Sequence, residues 1–498
     1  MSVGRAGLPV RLLAGAALLA VPGAIPAQAE DLRAALISAY NTNPVLQGAR
    51  AGQRATDENV PIRQADGRPS LSAGVAYTEY VKQSSTAIIA PGRLLQESLS
   101  LAVPIYSGGA VRNGVKAEKV RIAAGQAGLR ATESAVFSQV VGAYMDVILN
   151  EAVVGLNRSN VRVLEVNLQA TGDRFEIGDL TRTDVAQSQS RLALAQGDAR
   201  SAEADLAAAR ERYIRFVGHA PGRLEPPPPL PGLPATPEEA VQIALDSNPD
   251  LIAAREQRKA AGYDVKAAGA GRLPTLQVVG SGAHQDYLGS LGNAGIPALA
   301  ASQTATTAQI GVQASIPIFQ GGRPAALRRQ AQARESAAME NEIDAEREVI
   351  AQVRSAWSSW QAANAIIAST RSEIDAAALS LEGVRAENSI GNRTILEILN
   401  AEQELLQAQV RLVTARRNAY IAGFTLLAAM GRAEAQDLGL DGGPLYDPQA
   451  NTRRVRGKWF DWDDDPAPQP RSTRTVDTPT QDGDIRPDQT TTQAPEER

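Results

Sequence analysis

The chain of 498 residues contains no cysteine. Disulfides, thiol nucleophiles, cysteine-zinc sites and lipid attachment through an N-terminal cysteine are thereby excluded. Histidine is nearly absent as well: His219 lies beside a proline-rich stretch, His284 lies on an expected strand or loop, and neither has a second histidine nearby. No Gly-rich loop ends in Gly-Lys-Ser/Thr, so ATP chemistry would have to come from a partner. No catalytic residue, metal ligand set or cofactor site is expected. Aromatics are scarce, with 6 Phe, 10 Tyr and 4 Trp, whereas alanine is everywhere. That balance favours long helices packed through small side chains over a thick aromatic core.

Long apolar runs are also missing, apart from one at the start. Residues 1–29 read as a secretory signal, with Arg5 and Arg11 in its n-region, an apolar run from Leu12 to Val21, and Ala27-Gln28-Ala29 as the cleavage site. The apolar run is about half of the roughly 20 residues a spanning helix needs, which argues against an anchor. Removing the two arginines leaves 48 basic against 55 acidic residues, a net charge of −7. This is ordinary and gives no hint of nucleic acid; the basic stretch Arg453 to Lys458 is followed at once by Asp461 and Asp463 to Asp465. No other apolar run is long enough to span as a helix, so a membrane role falls to strands.

What the chain does have is duplication. Ile177 to Gln187, IGDLTRTDVAQ, returns as Ile390 to Asn400, IGNRTILEILN, with Gly178/Gly391, Thr181/Thr394 and Asp184/Glu397 at a constant offset of 213. Asn43-Pro44 returns as Asn248-Pro249, and Pro104-Ile105-Tyr106-x-Gly108-Gly109 as Pro317-Ile318-Phe319-x-Gly321-Gly322. An internal two-fold repeat follows, each copy a helix-strand-strand-helix unit. In the tips, Gly178 and Gly391 suit the left-handed residue that ends a helix, and the Thr and acidic residue beyond suit the start of the next.

Within each copy the apolar period changes from helical to alternating. Leu99, Leu101, Val103 and Ile105 alternate with small or polar residues, as do Ile310, Val312, Ala314, Ile316 and Ile318. Such runs predict strands of about ten residues with one apolar face, long enough to cross a bilayer at a tilt. Their partners are Leu71 to Tyr80 and Leu276 to Gln285, joined by long loops, with Tyr77, Tyr106, Tyr287 and Phe319 near the ends as interface aromatics. After Gly109 and Gly322 the pattern is helical for about 65 residues, roughly 100 Å at 1.5 Å per residue. The return helices keep heptads rich in alanine, Val185 to Tyr213 and Ile398 to Leu426, as a coiled-coil seam does.

These boundaries divide the chain into residues 1–29 (signal), 30–220 (first repeat), 221–235 (proline-rich connector), 236–433 (second repeat), 434–462 (a segment carrying Tyr446, Trp459, Phe460 and Trp462) and 463–498 (a polar tail expected to be disordered). Four strands cannot close a barrel, and an open edge in lipid leaves backbone groups unbonded. Closure calls for assembly: two chains would supply eight strands and a filled lumen, three would supply twelve and room for passage.

The duplicated unit, the PIYSGG and PIFQGG junctions and the tips GDLTRTDV and GNRTILEIL resemble the TolC family of outer-membrane export ducts over about residues 30–439. The resemblance implies an α+β membrane protein, a homotrimer whose 12-stranded β-barrel in outer-membrane lipid continues as a 12-helix α-barrel of coiled-coil hairpins through the periplasm. It also implies docking to a periplasmic adaptor protein and an inner-membrane pump or ABC exporter. By position, Arg393 and Asp184 match a gate-linking pair, Thr183 a hydrogen-bonding neighbour, and Glu397 an acidic constriction ring. Asn400 stands where a second ring aspartate is usual, and Asn388 where a linking tyrosine is usual. Three Glu397 carboxylates rather than six acids imply a modest cation preference and a weaker latch. The TRTDV tip resembles members associated with type I protein secretion, and small-molecule efflux is equally compatible. The contrasting expectation is a structural envelope protein that spans the periplasm without conducting.

Overall fold

The computed structural model of the chain describes residues 30–83, 91–291, 302–440 and 444–485. The signal segment, the distal parts of both sheet loops and the last residues of the tail lie outside these.

Each half opens with two short helices hinged on Asn-Pro. Helix α1 (Leu32–Thr42) gives way to α2 (Pro44–Asp57) at Asn43, whose side chain accepts from the Val45 and Leu46 amides at 2.9 and 3.4 Å. In the second half α6 (Pro237–Ser247) meets α7 (Pro249–Gly269) at Asn248, which accepts from Asp250 and Leu251 at 2.9 and 3.1 Å. Proline suits the first helical position, where its missing N–H costs nothing. The same asparagines donate to Phe216 and Ala429 carbonyls at 3.0 and 2.9 Å, tying the start of each half to the end of its own return helix.

A further short helix, α3 (Asn59–Ala65), leads to β1 (Ser70–Glu79) and β2 (Arg93–Ser107); β3 (Thr275–Asp286) and β4 (Thr304–Ser315) follow α7. They form one antiparallel sheet in the order β1-β2-β3-β4. Registers Leu71↔Leu101, Ala73↔Leu99, Val103↔Val278 and Val278↔Val312 place most of the apolar residues of the four strands on one face. The other face is mainly small and polar, with Leu94 and Val279 as its exceptions. There the Gln277 amide donates to Gln313 at 2.9 Å and Gln309 donates to Ser281 at 2.9 Å. Val75, Ile310 and Val312 are exposed on the apolar face. A bulge at Pro104–Tyr106 bends β2 as it leaves the sheet. β4 stops at Ser315, short of the alternation that runs to Ile318, because Pro317 cannot donate to a ladder.

Gly109 and Gly322, with φ of 87° and 83°, turn each strand into a helix of 67 residues, α4 (Ala110–Glu176) and α8 (Arg323–Ser389). Return helices α5 (Arg182–Val217) and α9 (Ile395–Ala429) pack against them. The main core lies where α4, α5, α9, α1 and α6 meet, around Phe137, Val140, Tyr144, Tyr213, Phe424 and Met430. Tyr144 donates to the Glu225 carbonyl at 2.6 Å and Tyr213 to the Glu30 carboxylate at 2.6 Å. Helix α4 has one 18-residue window apolar enough for a membrane by composition, a window not singled out in the sequence because no continuous apolar run marks it. Phe137, Val140, Tyr144 and Val147 of α4 are buried against protein.

Past α9, the segment with helix α10 (Pro448–Val455) packs on α2, where Asn451 donates to Asp57 at 2.9 Å. The tail expected to be disordered is described as far as Ile485, and it is docked. Its Asp482 and Asp484 meet Arg210 and Arg158 on the first hairpin. Composition tests whether a segment can bury a core of its own, and this one instead borrows a groove.

Candidate functional site: the paired hairpin tips

The two tips are built alike. Helix α4 ends with the Gly178 and Asp179 amides donating to Phe175 and Arg174 carbonyls at 3.0 and 2.9 Å. Helix α8 ends with Gly391 and Asn392 donating to Asn388 and Glu387 at 3.0 Å each. Gly178 and Gly391 both sit at φ 82°, the left-handed turn for which glycine is suited. The next helix starts with a reciprocal cap in each: Thr181 with Asp184, Thr394 with Glu397.

The caps set the electrostatics. Asp184 accepts from the Thr181 hydroxyl and amide at 2.7 and 2.9 Å, and these two bonds hold its carboxyl below the usual carboxylate range. Glu397 accepts from the Thr394 amide at 2.8 Å and from Arg393 at 2.6 Å, which together lower it to about 2. Arg393 lies between Glu387 and Glu397 at 2.6 Å each and is held firmly protonated. Within the protomer, then, the acid bonded to Arg393 is not Asp184, the partner implied by resemblance, but two acids of its own hairpin. Thr183 is exposed, one residue before Asp184. Asn388 donates to the Arg393 carbonyl at 2.6 Å and accepts from Arg174 of the other hairpin at 3.4 Å. Asn400 accepts from Arg191 of α5 at 2.8 Å.

Besides Asn388 and Asn400, the hairpins of one protomer are joined through residues that the sequence did not mark. Glu402, buried on α9, accepts from Asn167 of α4 at 2.9 Å through both carboxylate oxygens and from Arg385 of α8 at 2.9 Å. One turn away Leu399 inserts between Leu164 of α4 and Ala195 of α5. The available signal was a glutamate directly after Ala401 in a seam of alanines and leucines, where a charge needs a partner. No three His, Asp or Glu residues among the described ones are grouped to hold a metal ion. His219 approaches Glu30, and His284 bonds Thr306 on the sheet.

A sheet with one apolar face, continued by pairs of very long helices that meet in linked tips, is the build of an integral membrane channel protein whose helical part extends into water. The chain belongs to the outer membrane efflux protein family, whose model matches residues 36–219 and 240–432, and this is the TolC-like membership that the tips suggested. It is 34% identical over 437 residues to the outer membrane efflux protein BepC of Brucella suis biovar 1 (strain 1330), covering 87% of this chain and 92% of that one. It is 29% identical to the alkaline protease secretion protein AprF of Pseudomonas aeruginosa, over 64% of this chain and 65% of AprF. Among solved structures, the outer membrane protein VceC of Vibrio cholerae superposes with a TM-score of 0.68 at 21% identity, over 80% of this chain and 96% of VceC. The protein resides in the outer membrane and reaches into the periplasm.

Proposed function

We propose that three copies assemble into a passive export duct, twelve strands closing a barrel in the outer membrane and twelve long helices forming the tunnel below it. The observation that carries this reading is the four-stranded sheet: one face is apolar, the other polar, and β1 and β4 leave both edges open. In lipid those edges must pair, and pairing between copies puts the apolar face toward lipid and the polar face toward a lumen. The chain catalyses nothing itself. A periplasmic adaptor and an inner-membrane pump or ABC exporter supply energy and choose cargo, and the names of its relatives divide between efflux and protease secretion.

In this reading the tips are the gate. Glu397 carboxylates form the ring, the Glu402–Asn167, Asn400–Arg191 and Asn388–Arg174 bonds hold each protomer's hairpins together, and Asp184 and Thr183 face the next copy's Arg393 across the subunit boundary. The domain boundaries read from the sequence serve the same division of labour. Single-channel recording of the purified protein and Arg393→Ser in planar bilayers is the test. A small wild-type conductance that rises several-fold in the variant is expected. Heat-stable oligomers with no conductance in either protein would refute the duct in favour of a non-conducting envelope strut.

A further inference from the structure

The docked tail contacts a groove with more structure than a chance surface contact needs. After Thr473 donates to the Gly218 carbonyl at the end of α5, the chain descends along that helix, and the Gln481 amide donates to Glu211 at 3.0 Å. With the tail in place, Arg210 of α5 is only 2% exposed. Its guanidinium donates to Glu151 of α4 at 2.9 Å, to the carbonyl and carboxylate of Asp482 at 2.9 and 3.2 Å, and to the Asp484 carbonyl at 3.0 Å. Without the tail this arginine would keep only its bond to Glu151. Arg158 of α4 joins Glu203 of α5 at 2.5 Å and Asp484 at 2.7 Å.

Shape adds to charge. A Cβ placed on Gly483 would fall within 2.6 Å of the Glu203 backbone, so no larger residue fits there without moving the strand of tail off the helix. Ile485 reaches into the gap over Gly155 of α4, its methyl 3.7 Å from where a Cβ would be. A buried arginine aimed at two backbone carbonyls, a contact that admits only glycine, and a notch for an aliphatic side chain together read one sequence, Asp482-Gly483-Asp484-Ile485.

We propose that the α4–α5 groove at Gly155, Arg158, Glu203 and Arg210 is a binding site for an extended acidic peptide of Asp-Gly-Asp-aliphatic type, and that its resident ligand is the chain's own residues 481–485. So placed, the tail is a strap. It clamps α4 to α5 on the tip side of the main core, at a level where the seam between them is made of Ala199, Ala202 and Leu206. It also masks one flank of the first hairpin, so a partner carrying a similar peptide competes with the tail for the groove. None of this depends on the duct being a conductor.

The test is hydrogen exchange on the full-length protein in detergent, comparing wild type with Gly483→Val and with Asp482→Asn/Asp484→Asn. Neither change touches the buried core, so both proteins fold. Peptides covering residues 471–485, 151–158 and 203–211 are expected to exchange at least tenfold faster in the variants, while the tip around Gly391 is unchanged. A wild-type tail exchanging at the rate of a free peptide would overturn the strap, as would variants that leave all three regions as they were. Adding a synthetic peptide, Thr-Gln-Asp-Gly-Asp-Ile-Arg, to the Gly483→Val protein is expected to restore protection at 151–158 and 203–211, and the same peptide with Val for Gly is not. Failure of the first peptide to restore protection to a protein whose tail has been released would refute the binding site.

Discussion

Replacing Glu402 by alanine should loosen the closed entrance more than any change at Arg393. The Glu402 side chain is 5% exposed, whereas that of its partner Arg385 is 51% exposed, so the arginine rehydrates when the carboxylate is removed. Asn167 is the group that loses: both of its contacts across the hairpins end on Glu402 at 2.9 Å. A hydrogen bond to a charged acceptor contributes about 1.5–3 kcal/mol, so about 2 kcal/mol per protomer is at stake. That shifts a closed-open equilibrium by roughly 30-fold at 1.4 kcal/mol per tenfold. If three copies assemble as proposed and open together, three such links would sum to about 6 kcal/mol. The assay is open probability in planar bilayers, with Glu402→Gln alongside, which keeps one acceptor oxygen and should show a smaller effect. A Glu402→Ala protein that assembles as wild type and opens no more often would show that the protomer's hairpins are not what holds the entrance shut.

Other outcomes follow from the same geometry. Glu397 is lowered to about 2 by the Thr394 amide and Arg393, so its charge persists through the ordinary carboxylate range and is lost only as pH falls through about 2; reversal potentials should keep one cation preference from pH 7 down to pH 4. Gly391→Ala places a side chain at φ 82° and should cost about 1 kcal/mol locally, read as faster amide exchange at the second tip with no change near Tyr144. Thr181→Ala removes a reciprocal cap and should fray the start of α5 by about 1 kcal/mol, seen in exchange at residues 182–185. Tyr144→Phe strips the hydroxyl that donates to the Glu30 and Glu225 carbonyls inside the main core, and about 1–3 kcal/mol of stability should vanish in thermal unfolding; an unchanged midpoint would mean that water replaces both bonds.

Much of this architecture is written locally. The alternation of Leu99, Leu101 and Val103, the Asn-Pro hinges, the Gly-Gly junctions and the Thr-x-x-Asp/Glu tips depend on neighbours within a turn or two, and a strand's face or a helix cap is decided over that distance. Because each signal occurs twice, the order of elements was legible without coordinates. Within the tips the charge partners are local too: Arg393, in the turn between α8 and α9, meets Glu387 and Glu397 within six residues, and Asp184 is taken by Thr181. Tertiary structure alone decided which groups meet across the hairpins. Glu402 reaches Asn167, 235 positions away, only because the phase of α9 against α4, accumulated over several heptads, turns that side chain inward. The tail gave the opposite lesson. Its polar composition rules out a core of its own, and only the folded hairpin sets Arg158, Glu203 and Arg210 along one groove where Asp482 to Ile485 bind.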